Sequence, residues 1–377
     1  MWHYCRGLVI FKVSNNNNVV NNGFYGGFLK LFGSKSKAVI GIDVGTHSIK
    51  LVELAGSYAA PRVIAWGVEP LPAGAFSENT ITDAEAVAQA LNSLIVKSGA
   101  NANTVAVSIS SSHAITKVLG MPRDISDVEL EEQISIEALH FIPYPIDEVN
   151  IDFEVMGASA NNDEENDVLL VACRRSIVDG YIDLIEDMNL ELKYVDIDTY
   201  ALERVYRSQN NMVSAADEPV AIFDIGLSSS HLMVLNKDKV LYSRHQNFGA
   251  IQLVKLIRKE YGVTGEEAQE ILLSSQPPGD FLTVVQEPFA DMLKQEISRA
   301  LQFFYSSSSF TNIDNIVLSG ACSGLNGLAG DLEVKMRTKV TVMNPLSNAT
   351  VQNNRDSVAA SAPSLSVAYG LALRGLM

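Results

Sequence analysis

Apolar residues recur along this chain with two different periods. Ala38-Val39-Ile40-Gly41-Ile42 and Ile222-Phe223 each lead into an Asp and then a Gly, as a buried strand entering a turn does. From Asp83 to Val96 the positions Ala86, Val87, Ala90, Leu91 and Leu94 fall on one face, predicting a helix, and Thr104 to Ile109 predicts a strand. Ser126-Asp127-Val128-Glu129 has the capping-box pattern and opens a helix with Leu130, Ile134, Ala138 and Phe141 on one side. Ile142-Pro143-Tyr144-Pro145 stops it, because neither proline can continue the hydrogen-bond ladder. Val149 to Val155 and Val168 to Ala172 predict two strands separated by the acidic loop Asn161 to Asp167, and Ile177 to Asn189 predicts another helix. Near the C-terminus Ile316-Val317-Leu318 predicts a buried strand. Ser364 to Ala372, after Pro363, predicts a small-residue helix suited to close packing.

Composition narrows the classes. A chain of 377 residues with 47% apolar content is long enough for two lobes with separate cores. No run approaches the roughly 18 apolar residues needed to span a bilayer. The net charge of −16 argues against nucleic acid as a main partner. Cys5, Cys173 and Cys322 are odd in number and far apart, which suggests neither a disulfide framework nor a metal site and makes a reducing, cytoplasmic setting the expectation. The six His residues show no ligand spacing.

The chemistry is concentrated in a repeated phrase. Ile42-Asp43-Val44-Gly45-Thr46-His47-Ser48 and Phe223-Asp224-Ile225-Gly226-Leu227-Ser228-Ser229 align without a gap at a spacing of 181, which also matches Leu51 to Leu232 and Leu54 to Leu235. A triphosphate is held well by successive backbone N–H groups in a tight turn, so Gly45 and Gly226 are the permissive positions. Thr46, His47, Ser48, Leu227, Ser228 and Ser229 complete the two phosphate-binding turns, Gly249 offers a further close backbone approach, and Lys50 could reach a β- or γ-phosphate. Asp43 and Asp224 cannot favourably touch phosphate but can hold a hydrated Mg²⁺, which needs few carboxylates. Asp and Gly also build ordinary turns anywhere, and it is the duplication in constant register that favours a nucleotide clamp. Ser319-Gly320-Ala321-Cys322 supplies small residues at which backbone can approach a flat ligand such as adenosine.

These four segments, in this order, resemble the phosphate-1, phosphate-2, adenosine and second connecting motifs of the actin-like ATPase superfamily. A longer resemblance, to the PilM family of type IV pilus assembly, is carried by Ala38 to Asp43, Ser48 to Leu54, Phe141 to Pro145, Val171 to Arg174, Asp198 to Arg204 and Ala300 to Phe304. It implies an α/β actin-like ATPase fold: two lobes with duplicated RNase H-like cores and an FtsA-like 1C subdomain. It also implies a division into 38–111 (first part of subdomain 1A), 112–192 (1C), 193–219 (connecting segment of 1A), 220–344 (second lobe, 2A and 2B) and 345–377 (return to 1A). The implied cofactors are ATP and Mg²⁺. The implied partner is the N-terminal cytoplasmic peptide of the inner-membrane protein PilN, with other pilus assembly proteins and a homo-oligomer as further possibilities. That places the chain at the cytoplasmic face of the inner membrane, held there through partners.

The PilN peptide would occupy a groove between 1A and 1C, and Ile134, Phe141, Ile142 and Tyr144 could offer it apolar contacts, or could belong to the core of 1C. Asp198 falls where bacterial relatives place a water-orienting acid, although Asp196 and Asp198 also suit a helix start, where carboxylates are favoured. Around Leu272 and Leu273 the chain lacks the Lys that relatives often supply to the ribose or base. The expected activity is therefore ATP binding with slow turnover.

Residues 1–37 differ from the rest, with no Asp or Glu, six Asn between Asn15 and Asn22, and Arg6, Lys12, Lys30, Lys35 and Lys37. They read as a disordered or mis-started extension. Alternatively Phe28, Leu29, Leu31 and Phe32 with their lysines make a weak membrane contact. Two other functions use the same motifs, an FtsA-like division scaffold and a small-molecule kinase.

Overall fold

A computed structural model describes residues 38–377 apart from 160–161, 210–217, 238, 275, 352–357 and 359–360, together with the backbone of 12–13 and 19–20. The expectations for residues 1–37 otherwise lie outside the described residues. The chain forms two compact units, Met1–Ser208 with Asn348–Asn353 and Val367–Met377, and Gln209–Ser347 with Asn354–Ser366.

In the first unit the strands Ala60–Pro70, Ser48–Ser57, Val39–Val44, Thr104–Ile109 and Glu191–Ile197 lie side by side in that order, the first three antiparallel and the last three parallel. Thr350–Val351 extends one edge, and Lys12–Val13 with Val19–Val20 extends the other. In the second unit Lys239–Gln246, Ser230–Asn236, Val220–Ile225, Asn315–Ser319 and Lys339–Val342 repeat the same order and the same directions. Each unit thus contains the RNase H-like core, and the duplicated α/β arrangement of an actin-like ATPase fold is present. Val39–Val44 and Val220–Ile225 are buried except at their Asp, because a central strand covered on both faces must be apolar throughout.

The predicted helix after Asp83 is Ala84–Ser98: the Asp83 carboxylate accepts the Ala86 N–H at 3.0 Å and Gly99 closes it at φ 70°. The expected C-terminal helix forms as Ser366–Ala372. Its small residues have a packing reason, since side chains at Gly41 and Gly370 would collide with the carbonyls of Ala368 and Ala201. Behind it, Arg374 and Arg204 both bind the buried Asp196, at 3.0 and 2.7 Å, and Arg204 also donates to the Gly370 carbonyl at 2.8 Å. Burial alone would raise the Asp196 carboxyl, but the two guanidinium groups hold it below its ordinary range.

Inserted in the first unit is a separate three-stranded antiparallel sheet of Val149–Ala158, Glu165–Arg174 and Ala114–Pro122, accompanied by the helices Asp127–Ala138 and Arg175–Asp187. The module differs from the sequence reading in three places. The strand Ala114–Pro122 was not legible, because as an edge strand with Gly120 and Pro122 it lacks the apolar run of a central one. The acidic loop is also shorter, as Glu165, Asn166 and Asp167 pair with Pro122, Met121 and Gly120. Ser126 and Glu129 make both bonds of the capping box. The helix ends at Ala138, so Phe141 lies beyond it rather than on its face.

Candidate functional site

The two repeated turns are built alike. The Gly45 N–H donates to the Ser48 carbonyl at 3.1 Å, and 181 residues later the Gly226 N–H donates to the Ser229 carbonyl at 3.0 Å. Burial follows the same course through both, with His47 and Ser228 the exposed tips. These glycine amides close their own turns. Among the described residues, the N–H groups of Thr46, His47, Leu227 and Ser228 have no backbone acceptor, which leaves two successive donors at the tip of each turn. Neither Gly45 nor Gly226 has positive φ. The reason for glycine is proximity: a Cβ on Gly226 would stand 2.7 Å from the Ser229 oxygen.

Charge separates the two. Asp43 pairs across the first hairpin with Lys50, whose Nζ lies 3.2 Å from Oδ2, and both side chains keep 18% of their surface exposed. In the second hairpin Asp224 is opposite His231, the residue at the matching offset from Lys50. His231 shares a 2.7 Å hydrogen bond with the Ser243 hydroxyl, and its ring lies 6.5 Å from that of His245. Burial, then His245, pushes its pKa down to about 4, so it is neutral near pH 7. The sequence reading missed His231, although the repeat spacing points to it.

Around the second turn the structure assembles further predicted residues of the same unit. A side chain on Gly249 would collide with the Leu227 carbonyl, and the Gly226 and Leu227 carbonyls accept the N–H groups of Ala250 and Ile251 at 2.9 and 2.8 Å. Gly249 therefore braces the turn from behind. Gly320 takes φ 92°, and a Cβ there would meet the Ile225 carbonyl, so this position needs glycine on both counts. Ala321 is exposed, whereas Cys322 is part of the second unit's core. Burial, reinforced by the nearby Asp224 carboxylate, pushes the Cys322 thiol up to about 12. Leu272 packs against the same core.

Asp198 opens the helix Asp198–Gln209, as the helix-start reading expected. Its Oδ1 accepts the N–H groups of Thr199 at 2.7 Å and Ser111 at 3.0 Å, tying the helix to the end of the strand Thr104–Ile109. Tyr181, on the helix Arg175–Asp187, marks a shared neighbourhood. Its phenol is held in the neutral form first by burial and then by the carboxylates of Asp43 and Asp198. Helical period alone could place Tyr181 in the core but not beside two acids. Among the described residues no three His, Cys, Asp or Glu side chains gather into a metal cage. A magnesium ion that keeps its waters needs only one or two carboxylates, and Asp43 and Asp224 are each half-buried at the end of a strand entering its turn.

The four groove residues divide in two. Ile134 and Ile142 are buried in the core of the inserted module. Phe141 and Tyr144 remain 39% and 37% exposed, with Lys117 over the Phe141 ring at 5.1 Å and Arg174 over the Tyr144 ring at 4.6 Å. No helix among the described residues is long and apolar enough to cross a membrane.

Comparison with known proteins agrees with this architecture. The structure of a PilM-PilN type IV pilus biogenesis complex is similar to this chain with a TM-score of 0.76 and 25% identity, over 90% of this chain and 98% of that one. The ethanolamine utilization protein EutJ from Carboxydothermus hydrogenoformans shares the fold, with a TM-score of 0.55 and 14% identity over 93% of this chain and 94% of that one. A family model described as type IV pilus assembly protein PilM matches residues 41–376. The chain belongs to the PilM family of type IV pilus assembly proteins.

Proposed function

We propose that this chain is a nucleotide-dependent adaptor of pilus assembly, binding a magnesium nucleoside triphosphate and the N-terminal cytoplasmic peptide of PilN. The observation that carries the nucleotide half is the pair of turns, alike in hydrogen bond, burial and strand register at one constant spacing. Thr46, His47, Ser48 and Lys50 in one unit, and Leu227, Ser228 and Ser229 in the other, would hold phosphate oxygens, with Gly45, Gly226 and Gly249 shaping the turns. Asp43 and Asp224 would hold the hydrated Mg²⁺, which supplies charge neutralisation when bound. Gly320 and Ala321 would lie along adenosine, with Cys322 supporting them from the core. Asp198, whose Oδ1 already serves two backbone amides, would orient water weakly, which supports slow turnover over efficient hydrolysis.

The PilN half of the reading draws on family membership and on similarity to the structure of a PilM-PilN complex. In this chain Phe141 and Tyr144 are the exposed candidates for the peptide, while Ile134 and Ile142 are buried in the module's own core. A cytoplasmic place at the inner membrane, held through partners, follows from the same reading. Co-purification of the PilN N-terminal peptide with the full chain tests it. Wild type should retain the peptide, and Tyr144→Ala should lose about tenfold in affinity with the fold intact. Full retention by Tyr144→Ala removes that residue from the groove, and no retention by wild type removes the partner.

A further inference from the structure

The inserted module exposes one whole edge of its sheet. Ala114–Pro122 pairs with Glu165–Arg174 on one side, and no strand among the described residues pairs with the other. Along a free edge, alternate N–H and C=O groups point outward and can accept another strand. Between this edge and the helix Asp127–Ala138 runs an open groove of about 400 Å³, lined by Val118 to Pro122 with Gln133, Ile136 and Glu137. Val118 and Ile136 leave 50% and 59% of their surface in solvent, although Leu119 and Met121 of the same strand are buried.

The charge of the groove is one-sided. Glu137 lines it, the Glu165 carboxylate lies over Gly120, and Glu129, Glu131 and Glu132 belong to the same helix. The two flanking cations are engaged elsewhere, Lys117 over the Phe141 ring and Arg123 through its Nε at 3.0 Å from the Glu165 carbonyl. An apolar floor beside a free strand edge, with carboxylates and no cation among its lining residues, suits an extended segment that alternates apolar and basic side chains. An acidic or helical occupant would leave either the carboxylates or the strand edge unanswered.

We propose that Ala114–Pro122 is a second docking edge, which takes an extended basic-apolar segment of a partner protein as a fourth strand, seated between Val118 and Ile136 and read by Glu137 and Glu165. This goes beyond the nucleotide and PilN readings and does not depend on either. The test uses the full chain with two fluorescent octapeptides, one of alternating Lys and Val and one of alternating Glu and Val. Anisotropy measures affinity, and hydrogen exchange locates the contact. The Lys-Val peptide should bind at least about tenfold more tightly than its Glu counterpart and slow exchange at Ala114–Pro122. Glu137→Lys should weaken it by about threefold to tenfold, as should the exposed Ile136→Asp, whose intact fold would show in unchanged exchange of the central strands. Equal affinity for the two peptides overturns the proposal, as does binding that leaves exchange at 114–122 unaltered, since that contact lies elsewhere on the acidic surface.

Discussion

The hairpins at Asp43 and Asp224 share a backbone and differ in charge. Both strands are buried to the same depth and both turns close with a Gly-to-Ser bond, yet one aspartate faces a lysine at 3.2 Å and the other an imidazole held neutral near pH 7. The Gly-to-Ser hydrogen bond is the same in both turns, and the residue across the hairpin from the aspartate is not. The first aspartate therefore has a cation beside it, whereas the residue across from the second carries no charge near pH 7. The comparison teaches that backbone donors define the repeated element while its cross-strand partner sets its electrostatic task.

The largest expected effect comes from placing a methyl group on each turn. Gly226→Ala drives a Cβ to 2.7 Å from a backbone oxygen, whereas at Gly45 it meets the movable end of Lys50 at 2.9 Å and backbone only at 3.4 Å. Urea unfolding should show a loss of about 2 kcal/mol for Gly226→Ala and under about 1 kcal/mol for Gly45→Ala. Equal losses would mean that the two turns are held alike. Next come the roles of the acids. Asp224→Ala should weaken triphosphate binding by about tenfold in magnesium and much less in EDTA, whereas Lys50→Ala should weaken it by a similar factor in both media. A magnesium-independent loss in Asp224→Ala would sever that residue from the metal.

A smaller difference concerns acid. The His231 pKa lies at about 4 in the folded chain against 6.5 for the ordinary group, so the unfolded state binds more protons between these values. Its contribution to stability is complete above about pH 6.5 and is lost as pH falls toward 4, and His231→Gln should flatten that slope in pH-dependent unfolding. Glu154 in the first unit runs the other way. Burial raises its carboxyl to about 7, against the pull of Arg374 and with Asp152 and Glu203 adding to the rise. Here the folded state binds more protons between pH 4.5 and 7, so stability falls as pH rises through that window. Glu154→Gln should therefore be the more stable form above pH 7, and the gap should close below pH 4.5.

Much of this was legible because it depends on local pattern. The repeat spacing revealed both turns, Ser126 and Glu129 marked a helix start that the structure keeps, and the small residues of Ser364 to Ala372, Gly370 among them, marked close packing. What escaped depends on pairing between distant segments. Ala114–Pro122 is a strand because Glu165–Arg174 accompanies it, and its own residues carry only the weak pattern of an edge. Tyr181 lies near Asp43 and Asp198 because its helix packs into the core of the first sheet, a contact between distant segments. The spacing of Phe141 suits the next turn of the helix, but after Ala138 the chain passes into tighter turns, in which the Phe141 and Ile142 N–H groups both donate to the Ala138 carbonyl, so the regular helix ends before the prolines.

The most direct test of the central claim is calorimetric titration of the full chain with ATP and magnesium, repeated on a variant carrying both Asp43→Ala and Asp224→Ala. Saturable heat at one site per chain in wild type, lost in the double variant while the fold persists, is the predicted result. An absence of heat in wild type, or an unchanged isotherm in the variant, would contradict the assignment of these two turns to a nucleotide.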